Sequence, residues 1–250
     1  MVDTPNHLNM PNSTVAAGTP PALMNVFARF IGIITAPKAT FQSVVAHPRI
    51  LGMLLLTTVI VAVGATLPMT TEAGKQAALD QQVSQLEAFG MTVGDEQYEG
   101  MRKGMRIAPY TTAISVAVIS PIVLAIIAGI LFAIFNAAMG GEASYKQVYA
   151  VVTHAGVISA LGQLFVGPFN LLRGSTSNPT TFGALLPMFD DESFIGRLLG
   201  MVDFFIIWWL VVLAIGLAVL YRRRTQPIAI TLFGIYALIV VCVAAFMSRS

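Results

Sequence analysis

The sequence predicts an all-α integral membrane protein, a five-span transmembrane helical bundle with short N-terminal amphipathic helices. Only 10% of its 250 residues are charged and 56% are hydrophobic, whereas about 25% of a typical soluble domain is charged. Five apolar runs have the length of about 20 residues that a hydrocarbon core of about 30 Å requires. Alternating strands of about 10 residues, which build membrane barrels, are absent from the sequence, so a helical bundle is the architecture that remains.

The charged and reactive residues argue against several classes of function. The net charge is +2 and the longest basic run is the triplet 222–224, so a nucleic-acid partner is not expected. The single cysteine, Cys242, offers no disulfide framework. Motifs for nucleotide, metal or acyl chemistry are missing, and the histidines share no ligand spacing. The sequence therefore predicts a protein that is not an enzyme and holds no cofactor or metal.

Before the first apolar run, the chain divides into a tail and two short helices. Residues 1–20 are mostly polar and rich in proline, so a disordered tail is predicted, without the features of a signal peptide. Within residues 21–49, apolar side chains recur at three- and four-residue steps, which predicts amphipathic helices near 23–34 and 37–45. Both are too short to span a bilayer and are expected to lie in the interface or pack under the bundle.

The membrane domain is predicted to cover residues 50–246. Its second run is the longest, and because a helix of that length measures about 48 Å, it must tilt, kink or protrude. Pro121 in its middle and Pro168 near the end of the third run predict kinks, since proline removes a backbone hydrogen bond. The five spans are placed at residues 50–67, 107–138, 148–172, 198–220 and 227–246.

The longest segment between two spans is residues 68–106, which is rich in Gln and Glu. An apolar helical face runs from Leu79 to Phe89 and ends at Gly90, and Asp95 opens a second charged stretch. We expect this segment to form a small helical loop on the extracytoplasmic side.

The orientation follows from the shortest basic loop. Lysine and arginine are equally numerous on the two sides of the predicted bundle, so the total count does not decide the topology. The positive-inside bias is strongest in short loops, and the turn between the fourth and fifth spans carries Arg222, Arg223 and Arg224. The protein is expected in the cell (inner) membrane with this turn on the cytoplasmic side. The N-terminus is then cytoplasmic and the C-terminus extracytoplasmic.

Four polar residues inside the spans are candidates for a functional role. They are His154, Asp203, Asn136 and Gln163. Ionisable groups in a bilayer are costly, which makes His154 and Asp203 the first candidates for a proton or ion path. In the structural alternative, Asp203 lies at headgroup level and orients its helix, and a neutral His154 bonds a neighbouring helix.

A line of small residues follows the second span at four-residue steps. In lipid, such a line lets two helix backbones approach closely and gain van der Waals contact. It predicts either a packing seam within the bundle or an interface between copies of the chain. The stripe includes Ala125, Gly129, Ala133, Ala137 and Gly141.

Three segments resemble a known family. They are FARFIGIITAPKATFQSVVAHPR before the first span, GGEASYKQVYAVVTHAG between the second and third, and DFFIIWWLVVLAIGLA in the fourth. They look like the bacterial branch of the Ypt-interacting protein (Yip) family, over roughly residues 27 to 246. The resemblance implies five spans and a cytosolic N-terminus. Eukaryotic members are linked to Rab-type GTPases, but their acidic stretch before span one is missing here, so no GTPase partner is expected.

The functional expectation is a non-enzymatic scaffold or membrane-organising factor of the Yip type. Its expected partners are the lipid bilayer and other membrane proteins or further copies of itself. The alternative is a small transporter or channel with Asp203 and His154 on the pathway. Transporters are often built from internal repeats, and no convincing repeat is found in this sequence.

Overall fold

The computed structural model describes residues 24–138, 140–186, 188–190 and 193–247. These residues form helices joined by turns and loops, and their β-type pairing is confined to an isolated antiparallel bridge between Thr181 and Asp203. An all-helical architecture with membrane-length helices is therefore confirmed for the described residues. The predicted tail of residues 1–20 lies outside them.

Two short helices precede the membrane helices, α1 (Val26–Thr35) and α2 (Pro37–Ala46). Asn25 begins α1 by accepting a backbone hydrogen bond from the first turn, as a good N-cap residue does. A proline opens α2, where its missing N–H costs nothing. Phe41 and Val44 are fully buried, so α2 packs under the bundle.

The first predicted span is shorter than expected. It forms α3 (Leu51–Thr66), whose 16 residues measure about 24 Å, less than the hydrocarbon core of about 30 Å. The helix ends where Pro68 opens a 3₁₀ turn, Pro68–Thr70, since proline has no N–H to continue the helical hydrogen bonds. A length sufficient for a fifth span is thus not confirmed.

The remaining helices cover the rest of the described chain. In chain order they are α4 (Glu72–Ala88), α5 (Asp95–Gly104), α6 (Ala108–Phe132), α7 (Tyr145–Ala155), α8 (Val157–Arg173), α9 (Phe182–Leu185), α10 (Phe194–Met201), α11 (Phe204–Tyr221) and α12 (Thr225–Met247).

Four helical segments of the described chain have the length and apolar composition of a membrane span. Two are composite: α5 and α6 join into a 43-residue helix, and α7 and α8 into a 29-residue helix broken at Gly156. The segments are Asp95–Ala137, Tyr145–Arg173, Phe204–Tyr221 and Thr225–Met247.

The fourth predicted span begins later than its apolar run. The run 198–220 suggested that Asp203 lies about five residues inside a membrane helix. Instead α10 ends at Met201, Val202 is extended, and α11 starts at Phe204. The error arises because α10 and α11 are both apolar, so hydropathy does not reveal the break between them.

α11 lies at the centre of the bundle, in contact with α2, α7, α8 and α12. A Cβ at Gly216 would lie 2.7 Å from Val151 and 2.9 Å from the Phe41 ring. Both side chains are fully buried, so they pack directly on the bare backbone of α11. The packing of α2 and α7 on α11 therefore depends on the absence of a side chain at Gly216.

α3 and α8 pack with their backbones almost touching. A Cβ at Gly64 would lie 2.7 Å from the Gln163 carbonyl oxygen, and a Cβ at Gly167 would lie 2.8 Å from the Gly64 Cα. Such close approach is the usual way in which membrane helices gain van der Waals contact. α3 also packs against α6, which makes it part of the bundle, while Leu51, Leu55 and Val59 on its outer face are exposed.

Candidate functional site

Asp203 is the N-cap of α11. Its Oδ1 accepts a hydrogen bond from the Ile206 N–H at 2.9 Å, and its Oδ2 accepts one from the Asn178 amide at 3.0 Å and another from the Thr180 hydroxyl. The side chain is buried. An acidic N-cap is favourable because it satisfies free N–H groups and faces the positive end of the helix dipole. The geometry therefore gives this buried carboxylate a structural role.

The connection that holds Asp203 is itself fixed by backbone hydrogen bonds. The Phe182 N–H donates to the Val202 carbonyl at 2.8 Å, and the Phe204 N–H donates to the Thr180 carbonyl at 3.1 Å. These two bonds clamp residues 180–182 against the start of α11. Asp203 thus closes the loop between the candidate spans Tyr145–Arg173 and Phe204–Tyr221.

His154 is fully buried on α7. Its Nδ1 lies 2.7 Å from the Ala150 carbonyl oxygen, and because that oxygen only accepts, Nδ1 carries the hydrogen. Nε2 is then an acceptor with no hydrogen-bond partner within the described ranges, and the neighbouring Thr153 hydroxyl also has none. His154 is therefore bonded along its own helix, without the interhelical bond considered above.

The structure does not bring His154 and Asp203 together. Asp203 bonds to residues that follow Arg173, the end of α8. His154 lies 19 residues earlier along the same composite span, about 28 Å at 1.5 Å per residue. A pathway that uses both groups is therefore not favoured.

Arg29 is a buried cation that the sequence did not single out. Its side chain is 2% exposed, Nε has no hydrogen-bond partner in the described structure, and one terminal nitrogen donates to the His47 carbonyl at 3.5 Å. Burial lowers the pKa of the guanidinium below its ordinary value, and Arg49 lowers it further. A polar-face arginine is buried here because α2, α7 and α8 pack around α1, a tertiary effect that helical periodicity does not reveal.

Asn136 links two spans at one end of the bundle. It lies in the π-helical turn Ala133–Ala138 that follows α6, and its amide nitrogen donates to the Ala143 carbonyl at 2.7 Å. Its Oδ1 accepts a hydrogen bond from the Tyr221 hydroxyl, also at 2.7 Å. Because an unsatisfied amide in a dry environment is costly, this bond ties the end of α6 to the end of α11.

The same contact explains one member of the small-residue stripe. A Cβ at Gly141 would clash with the Tyr221 ring, which also stacks on Phe135 with centroids 5.4 Å apart. A glycine is therefore required at this position. Gln163, the fourth polar candidate, is half-buried. Its backbone carbonyl packs against Gly64 of α3.

The rest of the stripe lies on the open side of α6. The face directed into the bundle is formed by Ala128, Leu131 and Phe135, whereas a Cβ at Gly129 would meet no atom of the described chain within 4 Å. Tyr145 and Tyr149 reach its first part and donate to backbone carbonyls of α6. Ala133 and Ala137 are exposed. Whether this line forms an interface stays a prediction.

The three arginines that set the predicted topology form the turn between α11 and α12. Arg222 caps α11 with a φ of 51°, and its N–H donates to the Ala218 and Val219 carbonyls. Arg222, Arg223 and Arg224 are all exposed. They lie at the same end of α11 as Tyr221 and therefore beside the link to Asn136.

Comparison with known proteins identifies the family. A family model described as the Yip1 domain matches residues 31–247. The chain belongs to the Yip1 domain family. The resemblance seen in the sequence is thus confirmed, and the match includes α2 to α12 in full. Asp203, Asn136, Tyr221 and the three arginines all lie within the Yip1 domain.

One curated relative is a bacterial membrane protein. It is "Membrane protein YknW" of Bacillus subtilis strain 168, 27% identical over 210 residues, which cover 82% of this chain and 84% of that protein. No solved structure matches the chain significantly. The chain is therefore a membrane protein of the Yip1 family with several membrane-length helices. The apolar side chains exposed on α6 and α12 are suited to contact with lipid.

Proposed function

We propose that this protein is a non-enzymatic scaffold of the Yip type, which organises other membrane proteins or further copies of itself in the cell (inner) membrane. The observation that carries the proposal is the open outer face of α6. Along it, a Cβ at Gly129 would meet no atom of the described chain within 4 Å, and Ala133 and Ala137 are exposed. In lipid, a partner helix gains contact where small residues let it approach.

The scaffold is proposed to have five spans, with α3 as the first. α3 packs beside α8 with Thr57 and Thr58 near Gly156 and Ser159, where the four residues line one cavity of about 390 Å³, and with Gly64 against Gly167. The two helices therefore run in the same direction, as two spans separated by one other span must. A local thinning of the bilayer or flanking residues accommodates the short helix at modest cost.

The orientation is proposed from the turn between α11 and α12. Three arginines in a short loop favour the cytoplasmic side, which gives a cytoplasmic N-terminus and an extracytoplasmic C-terminus for five spans. α4 and α5 then form an extracytoplasmic hairpin.

Photo-crosslinking in the native membrane tests the scaffold. A photoreactive residue replaces Gly129 on the open face, and a matched control replaces Leu131, which is 5% exposed and faces the core. We expect protein adducts, either dimers or a defined second protein, at position 129 and none at 131. Lipid adducts alone at 129 would contradict the proposal.

A further inference from the structure

A basic groove lies at the end of the bundle where α11 meets α12. It is a cavity of about 770 Å³ between α2 and the α11–α12 turn. Its four cations are Lys38, Arg222, Arg223 and Arg224, and among its described lining residues none is acidic. We call this cavity the basic groove.

The groove concentrates positive potential at one point. Lys38 lies in the first turn of α2, which carries no acidic residue, although the positive end of a helix dipole disfavours a cation there. Like charges held in one cavity repel each other, and an anion among them relieves the repulsion. Both the side chains and the start of α2 therefore favour a bound anion.

Arg222 occupies a backbone conformation that favours glycine. Its φ of 51° is the sole positive φ of a non-glycine residue in the described chain, and glycine is the usual residue at this helix-ending position. An arginine there places its side chain in the groove at a cost in backbone strain.

The lower wall of the groove is apolar. Ile215, Ala218 and Val219 of α11 line it below the arginines. Because α11 and α12 both have the length of a membrane span, their shared turn lies where headgroups meet acyl chains. The lining therefore suits a ligand with an anionic head and an apolar tail.

We propose that the basic groove binds an anionic phospholipid, with the phosphate against the arginines and an acyl chain along α11. Guanidinium groups pair with phosphate through two parallel hydrogen bonds, and basic pockets between membrane helices recognise such headgroups. This binding goes beyond the scaffold role and does not depend on it, since it rests on the cations of the groove between α2 and the α11–α12 turn and not on the outer face of α6.

The test measures lipid retention by native mass spectrometry of the purified full chain. The protein is presented with phosphatidylglycerol or phosphatidylcholine. We expect phosphatidylglycerol to be retained in preference, and the double variant Lys38→Gln, Arg224→Gln to lose that preference by about tenfold, since charged hydrogen bonds are lost. The matched control, Lys103→Gln with Arg106→Gln, removes the same charge from α5 and the turn after it and should behave as the unaltered protein does.

Two further outcomes decide the source of the anion. Inorganic phosphate, tested by thermal shift, should stabilise the protein less than phosphatidylglycerol does; equal stabilisation would overturn the lipid proposal in favour of a soluble anion. Equal lipid retention by the groove variant and the unaltered protein, or equal loss in the control, would also overturn it. If the double variant fails to fold, Arg224→Gln alone is measured by the same criteria. The crosslinks at position 129 are scored separately, so each proposal fails on its own result.

Discussion

Asp203 is an example of a carboxylate at the end of a membrane helix that remains fully hydrogen bonded. It accepts hydrogen bonds from the Ile206 N–H of α11 and from two side chains of the preceding loop. The same residue is the N-cap of α11. The sequence indicated that Asp203 is exceptional but placed it inside the span. Only the break after α10 shows that the residue belongs to a helix cap.

Substitutions at Asp203 separate a cap from an ionisable group. Asp203→Asn keeps an acceptor for the Ile206 N–H but replaces Oδ2 by an NH2 group, which cannot accept from the Asn178 amide or the Thr180 hydroxyl. We therefore expect a loss of about 1 to 2 kcal/mol in the free energy of unfolding. Asp203→Leu leaves the Asn178 and Thr180 donors unpaired and should cost about 2 to 4 kcal/mol. Thermal melts in detergent measure both. A loss with Asn as large as that with Leu would show that the second acceptor oxygen of the carboxylate is required.

Tyr221 provides a second test at the scale of one atom. Tyr221→Phe removes the hydroxyl that donates to Asn136 and leaves that amide oxygen without its donor, so we expect a loss of about 1 to 2 kcal/mol. Tyr110→Phe is the matched control, because that ring is 72% exposed. Chemical unfolding of both variants should differ; identical curves would mean that water replaces the bond.

Among the helices, hydropathy was a better guide to position than to packing. The last apolar run, 227–246, corresponds closely to α12 (Thr225–Met247), because a long run of apolar residues has few alternatives to a helix. The contact between α3 and α8 was missed, since Gly64 and Gly167 are single glycines in separate helices and only the tertiary fold brings them together. The stripe on α6 was visible because its residues repeat within one helix.

Alanine substitutions distinguish a closely packed glycine, Gly64, from one beside open space, Gly129. Gly64→Ala places a Cβ against the Gln163 carbonyl, so α3 and α8 must separate and we expect a loss of about 1 to 3 kcal/mol. Gly129→Ala meets open space and should leave the melting temperature in detergent unchanged or slightly raised, since alanine favours helices. Equal effects at the two positions would contradict the close packing of α3 on α8.

At the scale of the whole molecule, the number of spans depends on α3 alone. If α3 crosses the bilayer, α2 and α5 lie on opposite faces of the membrane; if it does not, they lie on the same face. The helix is short, yet it packs between longer ones. Packing and local bilayer thickness decide whether a helix of this length spans, together with its apolar length.

Cysteine accessibility in whole cells decides between four and five spans. Single cysteines are introduced at Ala39 and at Gln97, both exposed, in a background where Cys242→Ala removes the native thiol. We expect a membrane-impermeant maleimide to label position 97 in intact cells and position 39 only after the membrane is opened. Labelling of both positions in intact cells would mean that α3 does not cross.

The composite helix from Asp95 to Ala137 is longer than a bilayer is thick. Its 43 residues measure about 64 Å, so about half of the rod stands clear of a hydrocarbon core of about 30 Å. α4 braces this rod through the bond from Gln76 to Tyr98 at 3.1 Å. A small change in the tilt of α6 is therefore magnified at the far tip, and a load applied to the tip is transmitted as torque to the bundle. The segment formed by α4 and α5 therefore couples forces outside the membrane to the orientation of α6.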